Sequence, residues 1–361
     1  MRNYVRQLFL LVLLSSVWLS ASANVFLDAR QAATEGRYRD VIGLLSEVIE
    51  AGELEPAEMV VAFSNRGIAY SLLKAFELAR IDLNRAISID PDHKLTQNQL
   101  GLIAQHVDAD YATAYTWFKR AASQGFPASQ VNLGRLYEQG LGTQKNPSEA
   151  FRYFSLADEQ GYDMALLPLG NMLLNGSGAR RDRTRAIESF KRAAAKGVIE
   201  AHYSLGMMYE RGWGTSSNLY LASQHYHEAA IQGNANAQNA LGYLYRRGSG
   251  VPQDFVEAVR WYRLAADQGI LQAANRLAWL LATCPVTEVC NGAQALSFAR
   301  IAVEQSRSAT NLDSMAAAYA RLGDFDNAIA MIEEILASTD TRKSRYRNRL
   351  DLYRQGRPYQ L

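Results

Sequence analysis

The chain has 361 residues, 48% of them hydrophobic and 20% charged, with 8 prolines: ordinary globular composition, long enough for one large core or two domains. The formal net charge is +2, and the surplus is Arg2 and Arg6, which lie in an N-terminal stretch without acids. Beyond residue 23, basic and acidic residues balance at 36 each, so no global field favours nucleic acid or an acidic membrane.

Residues 1–23 read "MRNYVRQLFLLVLLSSVWLSASA": a basic start, an apolar run, then Ala21-Ser22-Ala23. These are the three regions of a secretory signal peptide, with cleavage expected after Ala23. An uncleaved anchor is the alternative, but the uninterrupted apolar stretch is short for a bilayer span. No Cys sits beside the cleavage site, so there is no lipoprotein signal. No later segment is long and apolar enough to span a membrane. The expected location is periplasmic or secreted.

Residues 24–94 hold short helical units. In "NRGIAYSLLKAFELARIDLNRAISIDP", Gly67, Tyr70, Ala79, Leu83, Ala86 and Pro91 carry the apolar and turn positions. From 95 to 282 the chain repeats itself, with a period of 36 unbroken from Gly134 to Ala278; the first unit, at Leu100-Gly101, steps to the next by 33 and lacks the glycine turn. Leu133-Gly134, Leu169-Gly170, Leu205-Gly206 and Leu241-Gly242 coincide. So do Gly140, Gly176, Gly212 and Gly248, then Gly142, Gly178, Gly214 and Gly250. Phe154, Phe190, Tyr226 and Tyr262 follow, and Gly161, Gly197, Gly233 and Gly269 close the units. Such self-similarity marks a repeat array.

Each unit reads as two helices. Leu241, Leu244 and Tyr245 recur at the spacing of one helix face. Gly248 and Gly250 break that helix, and a second runs from about Phe255 to Gly269. Gly242 and Ala258 let the two backbones approach, while Tyr245 and Tyr262 fill the wider gaps. One pair cannot bury its own apolar face, so neighbours must stack. The spacing predicts an all-α, right-handed solenoid of helix-turn-helix repeats, about eight pairs long and without strands. Pro168 stands where other units carry Asn132, Ser204 and Ala240, so the third unit's first helix should start late or kink.

Residues 283–361 form a last helical unit and a capping helix. "DSMAAAYARLGDFDNAIAMIEEIL" repeats the earlier spacing, and Arg342, Lys343, Arg345, Arg347 and Arg349 read as a solvated helix or, more sharply, an anionic docking patch. Cys284 and Cys290 are the only cysteines. In an oxidising compartment such a pair is expected to form a disulfide, with free thiols or a metal site as the alternatives.

The stretch "LGYLYRRGSGVPQDFVEAVRWYRLAADQG" (241–269) resembles the Sel-1-like repeat, a subclass of the tetratricopeptide-type helical repeats. The likeness covers roughly 95–282, while 24–94 and 283–361 resemble plain tetratricopeptide units. It implies a scaffold or adaptor of the bacterial envelope rather than an enzyme.

No elbow motif, no His-containing catalytic signature and no phosphate-binding glycine loop is present, so no catalytic, cofactor or metal site is expected. His225 and His227 read as surface residues. Function in a solenoid is expected on the concave face, lined by the first helix of each pair. The positions free of the core point to Arg135, Asn171, Tyr203, Met207, Asn239, Tyr243, Arg246 and Trp279. Aromatics and Arg suit a binding hot spot. A protein partner is the first expectation. A cell-envelope glycan, peptidoglycan or exopolysaccharide, is the alternative, with Tyr203, Tyr243 and Trp279 as stacking platforms. Packing of Tyr243 and Trp279 between repeats is the bland alternative.

Overall fold

The computed structural model describes residues 23–337 and 343–361. The expected signal peptide, apart from Ala23, and Arg342 of the basic cluster lie outside the described residues. Among the described residues there are nineteen α helices and no strand. The fold is an all-α solenoid of repeats.

The chain divides into two compact units, residues 1–181 and 182–361. The described part of the first holds α1 (Ala23–Glu35), α2 (Tyr38–Ala51), α3 (Pro56–Leu72), α4 (Phe76–Ile89), α5 (Lys94–His106), α6 (Tyr111–Ser123), α7 (Pro127–Gln139), α8 (Pro147–Glu159) and α9 (Leu166–Asn175). The second holds α10 (Arg183–Ala195), α11 (Ile199–Arg211), α12 (Leu219–Ile231), α13 (Ala235–Arg247), α14 (Phe255–Asp267), α15 (Leu271–Thr283), α16 (Gly292–Gln305), α17 (Ala309–Arg321), α18 (Phe325–Ala337) and α19 (Lys343–Arg354). Each unit contains four closely packed helix pairs, α1/α2 to α7/α8 and α11/α12 to α17/α18.

The same local rules build every pair. Gly242 of α13 faces Tyr262 of α14 so closely that a Cβ would lie 2.8 Å from the ring. Gly134 and Phe154, and Gly206 and Tyr226, repeat that contact. Gly248 ends α13 at φ 65°, a conformation glycine adopts without a Cβ clash. Gly250 then passes so near the Leu219 carbonyl of the preceding repeat that a side chain would collide with it. The second helices open on side-chain caps: Asp110, Asn146, Asp182, Asn218 and Asp254, each accepting a backbone N–H of the first turn. A cap of this kind contributes ~1 kcal/mol. At the other end, Gln124, Gln160 and Gln268 donate to Gln97, Gln130 and Gln238 at 3.0, 2.8 and 2.7 Å, tying each second helix back to its first.

Two sequence expectations meet their physical reasons here. A 3₁₀ turn (Asp163–Ala165) replaces the start of the third repeat's first helix, and α9 begins only at Leu166. Pro168 therefore falls in the first helical turn, where its missing N–H has no intrahelical partner to lose. The expected Cys284–Cys290 disulfide is not formed: both are free thiols. The Cys290 thiol donates to the Cys284 carbonyl at 2.8 Å, and the Cys284 sulfur accepts the Val286 N–H at 3.4 Å. Burial pushes the Cys284 thiol pKa up. The junction is instead closed by the Asn291 N–H on the Leu281 carbonyl at 2.9 Å.

The helix read as solvated is in part a core element. Tyr346, Leu350 and Tyr353 of α19 are buried with Leu312 and Ala316 of α17 and Ile332 of α18. Arg349, only 9% exposed, forms an ion pair with buried Asp313 of α17.

Candidate partner-binding face

Within residues 182–361, α13 turns Leu241 and Leu244 inward. Asn239, Tyr243 and Arg246 are spaced four and three residues apart, so they share a different stripe of the same helix. The next first helix, α15, sets Arg276 and Trp279 beside them. Asn239 is 8% exposed and works as a bridge. Its amide donates to Gln272 at 3.1 Å, and its oxygen accepts Arg276 at 3.1 Å.

Tyr243 is half-buried and surrounded by cations. The guanidinium of Arg276 lies 5.1 Å from its ring centroid, Arg246 5.5 Å and Arg247 5.7 Å. Arg247 also reaches the Tyr243 hydroxyl at 3.4 Å. The negative face of the ring attracts each cation. None of the three arginines forms an ion pair among the described residues. Beneath them, burial pushes the Tyr262 phenol up to about 12, against the opposing pull of Arg276 and Arg246.

Trp279 is not a bare platform. The Arg349 guanidinium lies 4.6 Å from its ring, and the Tyr359 ring centroid lies 5.7 Å away. Tyr203 and Met207 of α11 are half-buried, and the Tyr203 ring lies 5.9 Å from that of Tyr226. Burial raises the Tyr203 pKa. In the first unit, Arg135 stands close enough to His106 to lower its pKa, after the larger effect of burial. Asn171 is exposed on α9. The structure thus gathers Asn239, Tyr243 and Arg246 into one cluster with Arg276, with Trp279 on the neighbouring helix.

Sequence reasoning missed Arg247, Arg276 and Tyr359, and it placed Arg349 in the basic cluster of the last helix without linking it to Trp279. Arg276 had a signal, since it breaks the repeat by standing where Ala240 stands one unit earlier. Nothing in the sequence linked Arg349 or Tyr359 to Trp279, because they reach it across more than sixty residues of chain.

A cavity of about 600 Å³ opens beside α12, lined by His202, His225, His227, Tyr245 and neighbours. His225 is half-buried, not a free surface residue. Its Nδ1 lies 3.2 Å from His202 Nδ1, and its ring stacks on Tyr209 at 5.5 Å. Burial and then His202 lower the His225 pKa. Among the described residues no group of three or more His, Cys, Asp or Glu side chains is placed to hold a metal ion.

The family model of the Sel1 repeat matches residues 97–126, 127–162, 164–198, 199–234 and 235–270. No curated protein matches the chain. Among solved structures, c5321, a protective antigen of uropathogenic Escherichia coli with an SLR fold, is similar over 94% of this chain and 76% of its own, at 24% identity and a TM-score of 0.73. A Sel1 repeat protein from Oxalobacter formigenes is similar over 66% of this chain and 96% of its own, at 27% identity and a TM-score of 0.58. Residues 97–270 are thus a run of five successive Sel1 repeats built on stacked helix pairs.

Proposed function

We propose that the chain is a non-enzymatic scaffold of the periplasm or cell exterior that binds an acidic segment of a protein partner. The first-helix face of residues 182–361 carries the contact. One observation supports this reading above the others: Arg246, Arg247 and Arg276 converge on Tyr243 without a carboxylate to neutralise them. Converging like charges are a cost in the free protein, and an acidic peptide relieves it. Arg and Tyr are also the side chains most often found at interface hot spots. The signal peptide expected over residues 1–23 is what supports the location.

The glycan alternative gains nothing from the rings. Sugar stacking needs an open aromatic face, while Tyr243 carries three guanidiniums and Trp279 is flanked by Arg349 and Tyr359.

Panning a random peptide library on the purified chain tests the reading. The expected outcome is enrichment of Asp/Glu-rich peptides, bound more weakly at high salt because exposed charge pairs are screened. Arg246→Ala with Arg276→Ala should weaken them at least about tenfold, the loss of one modest hot spot. Peptides without acidic bias, or bound equally by the double variant, overturn it. Tyr243-dependent sedimentation with purified peptidoglycan would establish the glycan reading instead.

A further inference from the structure

Beyond α19 the chain reads "QGRPYQL" (355–361) and adopts no regular structure from Arg357 onward. It turns back onto α15. The Leu361 N–H donates to the Thr283 carbonyl at 2.8 Å, at the last residue of that helix, where carbonyls lack helical partners. Tyr359 sits 5.7 Å from Trp279, and the Arg349 guanidinium lies 4.6 Å from one ring and 4.8 Å from the other. Arg349 is itself fixed by Asp313, so the Trp279–Arg349 subsite does not depend on the segment that fills it.

The segment is held lightly. Of residues 355–361 only Tyr359 is partly buried; the other six are exposed. This differs from α19, whose Tyr346 and Tyr353 are each 1% exposed and belong to the core. Segments with one anchor and few buried contacts open at low free-energy cost. Pro358 cannot donate a backbone hydrogen bond, and it biases Arg357 before it away from helix. Residues 355–357 cap α19, with the Gly356 and Arg357 N–H groups on the Tyr353 and Leu352 carbonyls at 3.0 Å each, whereas residues 358–361 have the anatomy of a bound peptide: no regular structure, one aromatic anchor and one main-chain hydrogen bond back to α15.

We propose that residues 358–361 are a resident ligand bound in cis, and that an extended partner segment bearing an aromatic residue displaces them. The partner's aromatic side chain takes the place of Tyr359 beside Trp279 and Arg349. Its acidic residues reach the arginines around Tyr243 on the neighbouring first helix, α13. This rests on the reading that the first-helix face of 182–361 binds a peptide, and it adds a second subsite and a built-in competitor.

The test uses a fluorescent synthetic peptide of sequence QGRPYQL and measures anisotropy on three proteins: the full chain, the chain lacking residues 358–361, and full-length Tyr359→Ala. The peptide should bind the shortened chain and Tyr359→Ala. It should bind the full chain about tenfold more weakly or worse, because apparent affinity falls with the fraction of molecules whose site is open. Trp279→Leu in the Tyr359→Ala background should abolish binding, whereas Arg246→Ala with Arg276→Ala should leave it unchanged. Equal binding to all three proteins, or to none, overturns the proposal. Because this peptide carries no acid, its failure leaves the acidic-segment reading standing, and a failed library selection leaves this one standing. Should the shortened chain not fold, Tyr359→Ala alone decides.

Discussion

Residues 23–181 and 182–361 use the same helix pair, and each commits a buried arginine to the fold, Arg66 in the first and Arg349 in the second, but the arginines of α13 and α15 are left without an acid. In the first unit, Arg66 of α3 is buried and fully engaged. It grips Asp82 of α4 with two bonds of 2.7 and 2.9 Å and reaches Ser46 at 2.9 Å. In the second, Arg246, Arg247 and Arg276 gather over one tyrosine ring with no acid among them. The scaffold is common and the charge bookkeeping is not. A closed pair serves the fold; an open cluster at the surface is a site awaiting an anion. The repeat motif is therefore a poor guide to function, and departures from it are a better one.

The largest effect should come from opening the closed pair. Arg66→Ala leaves Asp82 buried and unpaired, and should destabilise by about 3–5 kcal/mol in a denaturant titration. A loss under about 1 kcal/mol, the range of an exposed pair, would mean that Arg66 is no more committed to the fold than the arginines at Tyr243.

If the scaffold is truly common, equivalent glycines should be equally intolerant. A Cβ on Gly134 would meet Phe154 at 2.8 Å, and one on Gly206 would meet Tyr226 at 2.5 Å. Each Gly→Ala change should cost roughly 1–3 kcal/mol through overpacking. Clearly unequal melting shifts would show that the two units are packed by different rules.

Acid should weaken both units through their histidines. Burial lowers the pKa of His93 and His106 in the first unit, and burial with His202 lowers that of His225 in the second. A neutral imidazole in the fold takes up its proton less readily than in the unfolded chain. Stability is therefore full above the ordinary value of 6.5 and declines as pH falls through it, levelling below the folded values. His225→Gln should flatten only the second unit's share of a melting curve series between about pH 7.5 and 5. An unchanged slope would remove His225 from the account.

The smallest stability effect should be at the open cluster. Arg276→Ala should change stability by no more than about 0.5 kcal/mol, the usual range for surface positions, because it relieves repulsion while losing one bond to Asn239. A larger loss would make the cluster structural and break the contrast with Arg66.

The helix pairs and their boundaries were legible because they recur. Phe255 was expected near the start of a second helix, and α14 begins there. Gly242 was expected at a close contact, and Tyr262 lies against it. The Asp/Asn caps and the Gln ties also recur in register, so their signal was present and went unused. The candidate cluster was half legible: Tyr243 and Arg246 follow from helix geometry, whereas Arg247 and Arg276 needed the charges of adjacent turns to be weighed together. The cysteine pair misled because compartment and number argue for a bond, while the turn at 284–290 directs the Cys290 thiol at a backbone carbonyl.

What the sequence determined alone was the repeat: period, turns, and which face of each helix is apolar. Those are local, each fixed within a few dozen residues by backbone sterics and apolar spacing. Only tertiary structure decided which charges are spent on the fold and which are left open. Asp82 neutralises Arg66, Asp313 holds Arg349, and Tyr359 covers Trp279 through single contacts with no periodicity. Such contacts leave no pattern in a sequence, because they form only once distant segments are already packed together.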